Sequence, residues 1–185
     1  GYSVLKSEIS VEDQIKIRDE LNVCAYMPKS IGQQAKFPVY RESPLKMYIP
    51  RYYGIKKFGK PSSSKIGEGD NIQLSFNGDL RDYQNVIVNT YMNSINKDNG
   101  GGLLEVPCGR GKTICALSII SKLRKKTLVI VHKGFLLNQW IERIEQFLPG
   151  ARIGKIQGQV IDIDNKDIVI GMLQSISLKD DYSDD

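Results

Sequence analysis

The chain has 185 residues, of which 41% are hydrophobic and 25% charged, with a formal net charge of +5. That length suits one well-packed domain with an appendage rather than two full domains. No apolar run approaches the roughly 20 residues that cross a bilayer, so no membrane segment is expected. Three cysteines, Cys24, Cys108 and Cys115, form no CxxC pair, and His132 is the single histidine, which argues against a His-based zinc site and for free thiols in a reducing, intracellular compartment. The first residues, GYSVLKSEIS, carry no apolar core or cleavage site of a signal peptide.

In chain order, Ser10 stands as an N-cap with Asp13 three positions on, and apolar Val11, Ile15, Ile17 and Leu21 behind it predict a short helix. From Phe37 to Phe58, prolines at 38, 44 and 50 interrupt a run rich in Tyr40, Tyr48, Ile49, Tyr52 and Tyr53, which favours short strands and turns over helices. Residues 36–65 also hold eight Lys or Arg against one acid, Glu42, a local balance of +7. Two readings fit this texture. Cations interleaved with aromatics suit phosphate contacts and base stacking; equally, the tyrosines can form a small domain's own core under solvated lysines. KPSSSKIGEGD, residues 60–70, is a loop, and a domain boundary is placed near Gly78.

After that boundary the pattern becomes regular. Leu80, Tyr83, Ile87, Tyr91 and Ile95 share one face of a helix with Asp79 as its cap, and NKDNGGG stops it. LLEVP (103–107) is a run of strand length, GKTICALSIISKL a helix, TLVIVH (127–132) a buried strand, and LLNQWIERIEQFL (136–148) an amphipathic helix in which Trp140 shares the apolar side with Leu137, Ile144 and Leu148. Strands at ARIGKI and DIVIGML (167–173) complete an alternation that predicts an α/β fold, a parallel sheet with helices on both faces. We expect a small α+β accessory domain over 1–78, followed by this domain over 79–185.

PCGRGKT (107–113) lies between the expected strand and helix. Gly109 and Gly111 can adopt backbone angles closed to other residues, so that successive backbone N–H groups of the loop converge on phosphate oxygens, helped by the positive end of the helix. The segment Pro107, Cys108, Gly109, Arg110, Gly111, Lys112 and Thr113 is therefore the candidate nucleotide cradle, with Lys112 for the outer phosphates and the Thr113 hydroxyl for Mg²⁺. The general pattern GxxxxGK[ST] asks for Gly at position 106, where this chain has Val106. A plain Gly-rich strand-to-helix turn is the bland alternative.

The shorter GxGKT core resembles that of superfamily 2 helicases. LRDYQ (80–84) resembles the family's LRxYQ element, which implies that Gln84 reads the adenine edge and Arg81 helps to hold the nucleotide; without the resemblance Gln84 is a polar residue on a helix surface. TLVIVHKGFLLNQW resembles the next element, implying that His132 and Lys133 at a strand end face nucleic acid. DIVIGMLQSIS resembles a T-x-Q-S-L element with Met172 in place of Thr, leaving Gln174 and Ser175 as nucleic-acid candidates. Together with PCGxGKT, these residues are most similar to the XPB-like group, including transcript-release helicases of large DNA viruses, over roughly residues 79–178.

The resemblance implies a P-loop, RecA-like fold, an ATP-dependent helicase or translocase using ATP and Mg²⁺, and nucleic acid, with RNA polymerase or other transcription machinery, as partners, in a virion or host cytoplasm for a viral protein. It also implies a DExH element and a second RecA-like domain, neither of which is found before Asp185, so this N-terminal part alone is expected to grip nucleotide weakly and hydrolyse it negligibly. The acids of KDDYSDD are read as a solvated tail. A restriction-type translocase motor and a non-catalytic nucleic-acid or polymerase-binding module with a retained nucleotide pocket remain as other readings.

Overall fold

The computed structural model describes residues 1–24, 35–95 and 101–178. It divides into two compact units, Gly1–Gly67 and Glu68–Asp185. Residues 96–100 of the expected helix stop NKDNGGG, and the acidic tail at 179–185, lie outside the described residues.

The first unit is built from β1 (Tyr2–Leu5), a 3-10 turn (Lys6–Glu8), α1 (Val11–Glu20), β2 (Asn22–Val23), β3 (Phe37–Pro38), β4 (Arg41–Glu42), β5 (Lys46–Ile49) and α2 (Arg51–Phe58). Strands β1, β5 and β4 form an antiparallel sheet in that order, while β2 and β3 pair separately. The predicted cap holds: Ser10 Oγ accepts the Asp13 N–H at 3.0 Å. Strand periodicity sends Met47 and Ile49 of β5 inward and leaves Lys46 and Tyr48 outside. Val4, Met47 and Ile49 meet Ile17 and Leu21 in one core, joined by Tyr2, Tyr40, Tyr53 and Phe58. Val11 and Ile15, expected on the apolar side of α1, are exposed.

Residues 51–58, expected as strand or turn, are instead helical. Pro50, with φ −54°, occupies the N-cap position, where its missing N–H costs nothing. Gly54 then lets the helix press on the Tyr2 ring, which a side chain at that position would strike. The Tyr53 hydroxyl donates to the Glu20 carboxylate. Burial, reinforced by that carboxylate, pushes the phenol up to about 12.

The second unit contains α3 (Asp82–Ile95), α4 (Lys112–Leu123), β6 (Thr127–Val131), α5 (Gly134–Phe147), β7 (Ile153–Gln157), β8 (Val160–Asp162), β9 (Ile168–Met172) and α6 (Leu173–Ser177). Its sheet runs β6-β9-β7-β8, with β9 parallel to both β6 and β7. The expected α/β layering is present. Leu117 and Ile120 of α4, with Leu137 and Ile144 of α5, bury Val131, Ile168 and Ile170 on one sheet face. On the other, α6 sets Ile176 against Gly171, where there is no room for a Cβ. Trp140 packs on the main core, as its helical spacing predicts. Helix α4 has a second apolar side, Cys115 and Ile119, which meets Val88 of α3.

Two expectations fail here, and one strand is additional to those the sequence suggests. Strand β8 was not foreseen; it turns back antiparallel on β7 through Gly158, whose φ is 58°. LLEVP (103–107) forms no strand, and Leu103 is 94% exposed. Apolar composition makes a strand only where a ladder partner exists, and none pairs with this run among the described residues. The boundary also falls earlier than Gly78. Ile72, Leu74 and Phe76 join the core of the second unit, Asn71 bridges Lys125, and the Phe76 ring stacks on Phe147 at 5.7 Å.

Candidate functional site

The loop between residues 107 and 113 folds as its glycines dictate. Gly109 and Gly111 both have φ of 75°, the left-handed region, and Gly111 is the N-cap of α4. The Cys115 N–H bonds back to the Gly111 carbonyl at 3.0 Å. The N–H groups of Lys112, Thr113 and Ile114, the first three of the helix, therefore have no acceptor within it and point out of its positive end. Around Gly109 no other heavy atom stands within 4 Å of where a Cβ would be, so the loop is open on that side. Lys112 Nζ donates to the Val106 carbonyl at 2.7 Å. The ammonium thus already holds an oxygen acceptor beside the loop, and Val106 contributes to the site through its backbone. Thr113 follows Lys112 at the second helical position.

Gln84 is not on the helix surface. It is 5% exposed, on the side of α3 that meets α4. Its Oε1 accepts the Arg81 N–H at 3.0 Å and its Nε2 donates to the Arg110 carbonyl at 3.2 Å. One amide therefore caps α3 and holds the glycine-rich loop at Arg110. Asp79, expected as the cap, is replaced in that role by Arg81, whose carbonyl accepts from Asn85 N–H at 3.0 Å while its N–H is held by Gln84.

The helical spacing places Tyr83 on the apolar face, yet it also organises the cations around the loop. The Arg110 guanidinium lies over its ring, 5.2 Å from the centroid, and Arg81 Nη1 donates to its hydroxyl at 3.3 Å. Its place beside Gln84 in LRDYQ was the available signal. Arg81, Arg110 and Lys112 make no ion pair with a carboxylate among the described residues, so their charge is available to an anion. Cys108 in the loop is exposed, whereas Cys115 is buried and its thiol is pushed up by that burial. The residues present fit a polyphosphate: left-handed glycines, a helix N-terminus and three cations act in one place.

The other candidates gather at the carboxyl ends of parallel strands. His132 and Lys133 follow β6, and Gln174 and Ser175 follow β9, its neighbour in the sheet. Gln174 Nε2 donates to the His132 carbonyl at 2.9 Å, and Ser175 Oγ accepts the Gly158 N–H at 2.8 Å. Lys133 is the N-cap of α5, so its side chain leaves from the start of that helix. Met172, at the end of β9, packs toward the main core. Strand ends of this kind are where open α/β sheets bind ligands.

Comparison with known proteins agrees with this geometry. A solved structure, "Sulfolobus solfataricus SWI2/SNF2 ATPase core in complex with dsDNA", superposes with a TM-score of 0.50 at 22% identity, covering 62% of this chain and 25% of that one; the likeness is one of fold. A protein of Acanthamoeba polyphaga mimivirus named "Putative ATP-dependent RNA helicase L396" is 33% identical over all of this chain, which spans 36% of it. "DNA 3'-5' helicase XPB" of Kineococcus radiotolerans is 29% identical over 68% of this chain and 22% of that protein. The chain thus spans about a third or less of these relatives, and they bear out its likeness to XPB-like superfamily 2 proteins. The model of the family described as "Type III restriction enzyme, res subunit" matches residues 77–185, the stretch that carries the phosphate loop, Gln84 and the strand-end residues, and the chain belongs to that family.

Proposed function

We propose that this chain is the nucleotide-gripping part of an ATP-dependent helicase or translocase of superfamily 2, which in the whole protein couples ATP hydrolysis to movement on DNA or RNA. The observation that carries this reading is the loop in which Gly109 and Gly111 take φ of 75° ahead of Lys112 and Thr113 at the start of α4. ATP, when bound, supplies a triphosphate whose cleavage releases the free energy for movement. Backbone N–H groups of the loop and the first turn of α4 hold its phosphates. Lys112 exchanges the Val106 carbonyl for a phosphate oxygen, and the Thr113 hydroxyl gives Mg²⁺ one oxygen ligand, which suits an ion that keeps most of its waters. Gln84 keeps the loop in shape through Arg110 and presents the rest of its amide to the adenine edge, with Arg81 beside it.

On the same reading, His132, Lys133, Gln174 and Ser175 contact the backbone of the nucleic acid. Transcription machinery is the partner suggested by likeness to viral helicases. The test is thermal unfolding of the chain with and without MgATP. Wild type rises in Tm with nucleotide concentration, as ligand binding to the folded state requires, and Lys112→Ala does not. Equal nucleotide-dependent stabilisation in the variant, or none in wild type, overturns the assignment.

A further inference from the structure

Among the described residues, both helices that touch the core of the first unit lie on one face of the β1-β5-β4 sheet: Ile17 and Leu21 with α1, Tyr53 and Phe58 with α2, all meeting Val4, Met47 and Ile49. Alternation along the strands then defines the opposite face. On β5 it carries Lys46 and Tyr48. Cross-strand register adds Ser3 and Arg41 opposite Tyr48, and Leu5 opposite Lys46.

This outer face is neither apolar nor evenly charged. Tyr48 stands on the central strand and is 45% exposed. Ser3 on one side is too small to cover its ring, and Arg41 on the other lies at cross-strand contact distance, about 5 Å between Cβ atoms. Lys46 lies two residues along the same strand, about 7 Å away. Neither Arg41 nor Lys46 is ion-paired among the described residues. The one acid of residues 36–65, Glu42, sits in register with buried Met47 on the other face, where Lys6 and Arg18 hold it at 2.7 Å each. The fold has therefore withdrawn the carboxylate and left an aromatic ring between two free cations.

We propose that this face, centred on Tyr48 with Arg41 and Lys46, is a binding platform for single-stranded nucleic acid, distinct from the strand-end residues of the second unit. An exposed ring on a sheet stacks with any base, and cations at one-nucleotide spacing meet the flanking phosphates. Of the two readings of the basic, aromatic segment, each takes part of it: Tyr40, Tyr53 and Phe58 are core, and Tyr48 is not.

The test is fluorescence anisotropy of labelled 12-nucleotide dT and U oligomers with the full chain at low salt, without nucleotide. Tyr48→Thr, which keeps strand propensity and removes the ring, is expected to weaken binding about tenfold. Tyr48→Phe stays within about twofold of wild type. Arg41→Ala and Lys46→Ala each lower the slope of log affinity against log salt by about 0.7. No single-strand binding by wild type, or unchanged affinity in Tyr48→Thr, overturns the proposal. So does equal loss in Tyr48→Thr and Tyr48→Phe, because a hydroxyl contact would then replace stacking. Displacement by polyglutamate without any effect of Tyr48→Thr would mark an acidic protein surface as the partner and also overturn it. Loss of binding in Lys133→Ala with none in Tyr48→Thr would overturn this platform while leaving the strand-end contacts of the second unit intact.

Discussion

The side-chain nitrogen of Gln84 fills the space that a Cβ on Gly111 would need. The two residues lie far apart in sequence, yet the glycine is required twice, once for its φ of 75° and once for this contact. Gly109 has the same φ but open space around it.

Gly109→Ala and Gly111→Ala therefore separate the two requirements. The first carries only the left-handed backbone cost, about 1–2 kcal/mol. The second adds overpacking against Gln84, a further ~1–3 kcal/mol. Urea unfolding should place the midpoint of Gly111→Ala clearly below that of Gly109→Ala. Adding Gln84→Ala to Gly111→Ala should recover part of the difference, a non-additivity expected of touching residues. Equal midpoints for the two glycine variants, or strict additivity in the pair, would show that the contact has no energetic weight.

The same pair illustrates what a sequence can convey. The left-handed turns at Gly109 and Gly111 were readable because such backbone angles demand glycine, and the cap of α1 because Ser10 and Asp13 act across one turn. Requirements that reach across the chain were not. Nothing local says that polar Gln84 is buried, that Tyr83 collects two arginines, or that Ile72 belongs to the second core. Pro50 reads equally as a strand breaker and as a helix start, and only the fit of Gly54 on Tyr2 decides for α2. LLEVP has the composition of a strand, but pairing is a property of a neighbour.

Glu42 links acid stability to the first unit. Hydrogen bonds from Arg18 and Lys6 hold its carboxyl down to about 2, against 4.5 for the free group. A depressed folded-state value means that the stabilisation is present above about pH 4.5 and is lost as pH falls through about 2. Because the ion pairs are partly solvated, the amount is roughly 1 kcal/mol rather than the full value of the shift. Melting curves followed by circular dichroism across that range should show Glu42→Gln less stable than wild type at pH 7 and equal to it near pH 2. A constant gap at every pH would mean that the loss is one of packing and not of charge.

At the opposite end of the sheet from the strand-end candidates, Asp167 fastens the starts of β7 and β9. Its carboxylate accepts the Arg152 N–H at 2.9 Å, Nε at 3.1 Å and Nη2 at 2.6 Å, and it is 6% exposed. Its own N–H goes to the Arg152 carbonyl and its carbonyl accepts from Thr127, so side chain and backbone together join β7, β9 and β6. The Arg152 side chain lowers the acid below its ordinary value, despite the opposing effect of burial. Asp167→Asn replaces one acceptor with a donor that faces other donors, and should cost about 1–3 kcal/mol at pH 7. Arg152→Lys keeps the charge and the backbone bond but not the planar fork, and should lower the urea midpoint less than Asp167→Asn does. Since the folded-state value is depressed, the advantage of wild type over Asp167→Asn is present above the ordinary value of 3.8 and shrinks as pH falls below it. Trp140, the single tryptophan, packs on this core and reports the transition by fluorescence. Identical urea midpoints for wild type and Asp167→Asn at pH 7 would mean that the backbone ladder alone holds the sheet, and that the buried carboxylate merely repays its own desolvation.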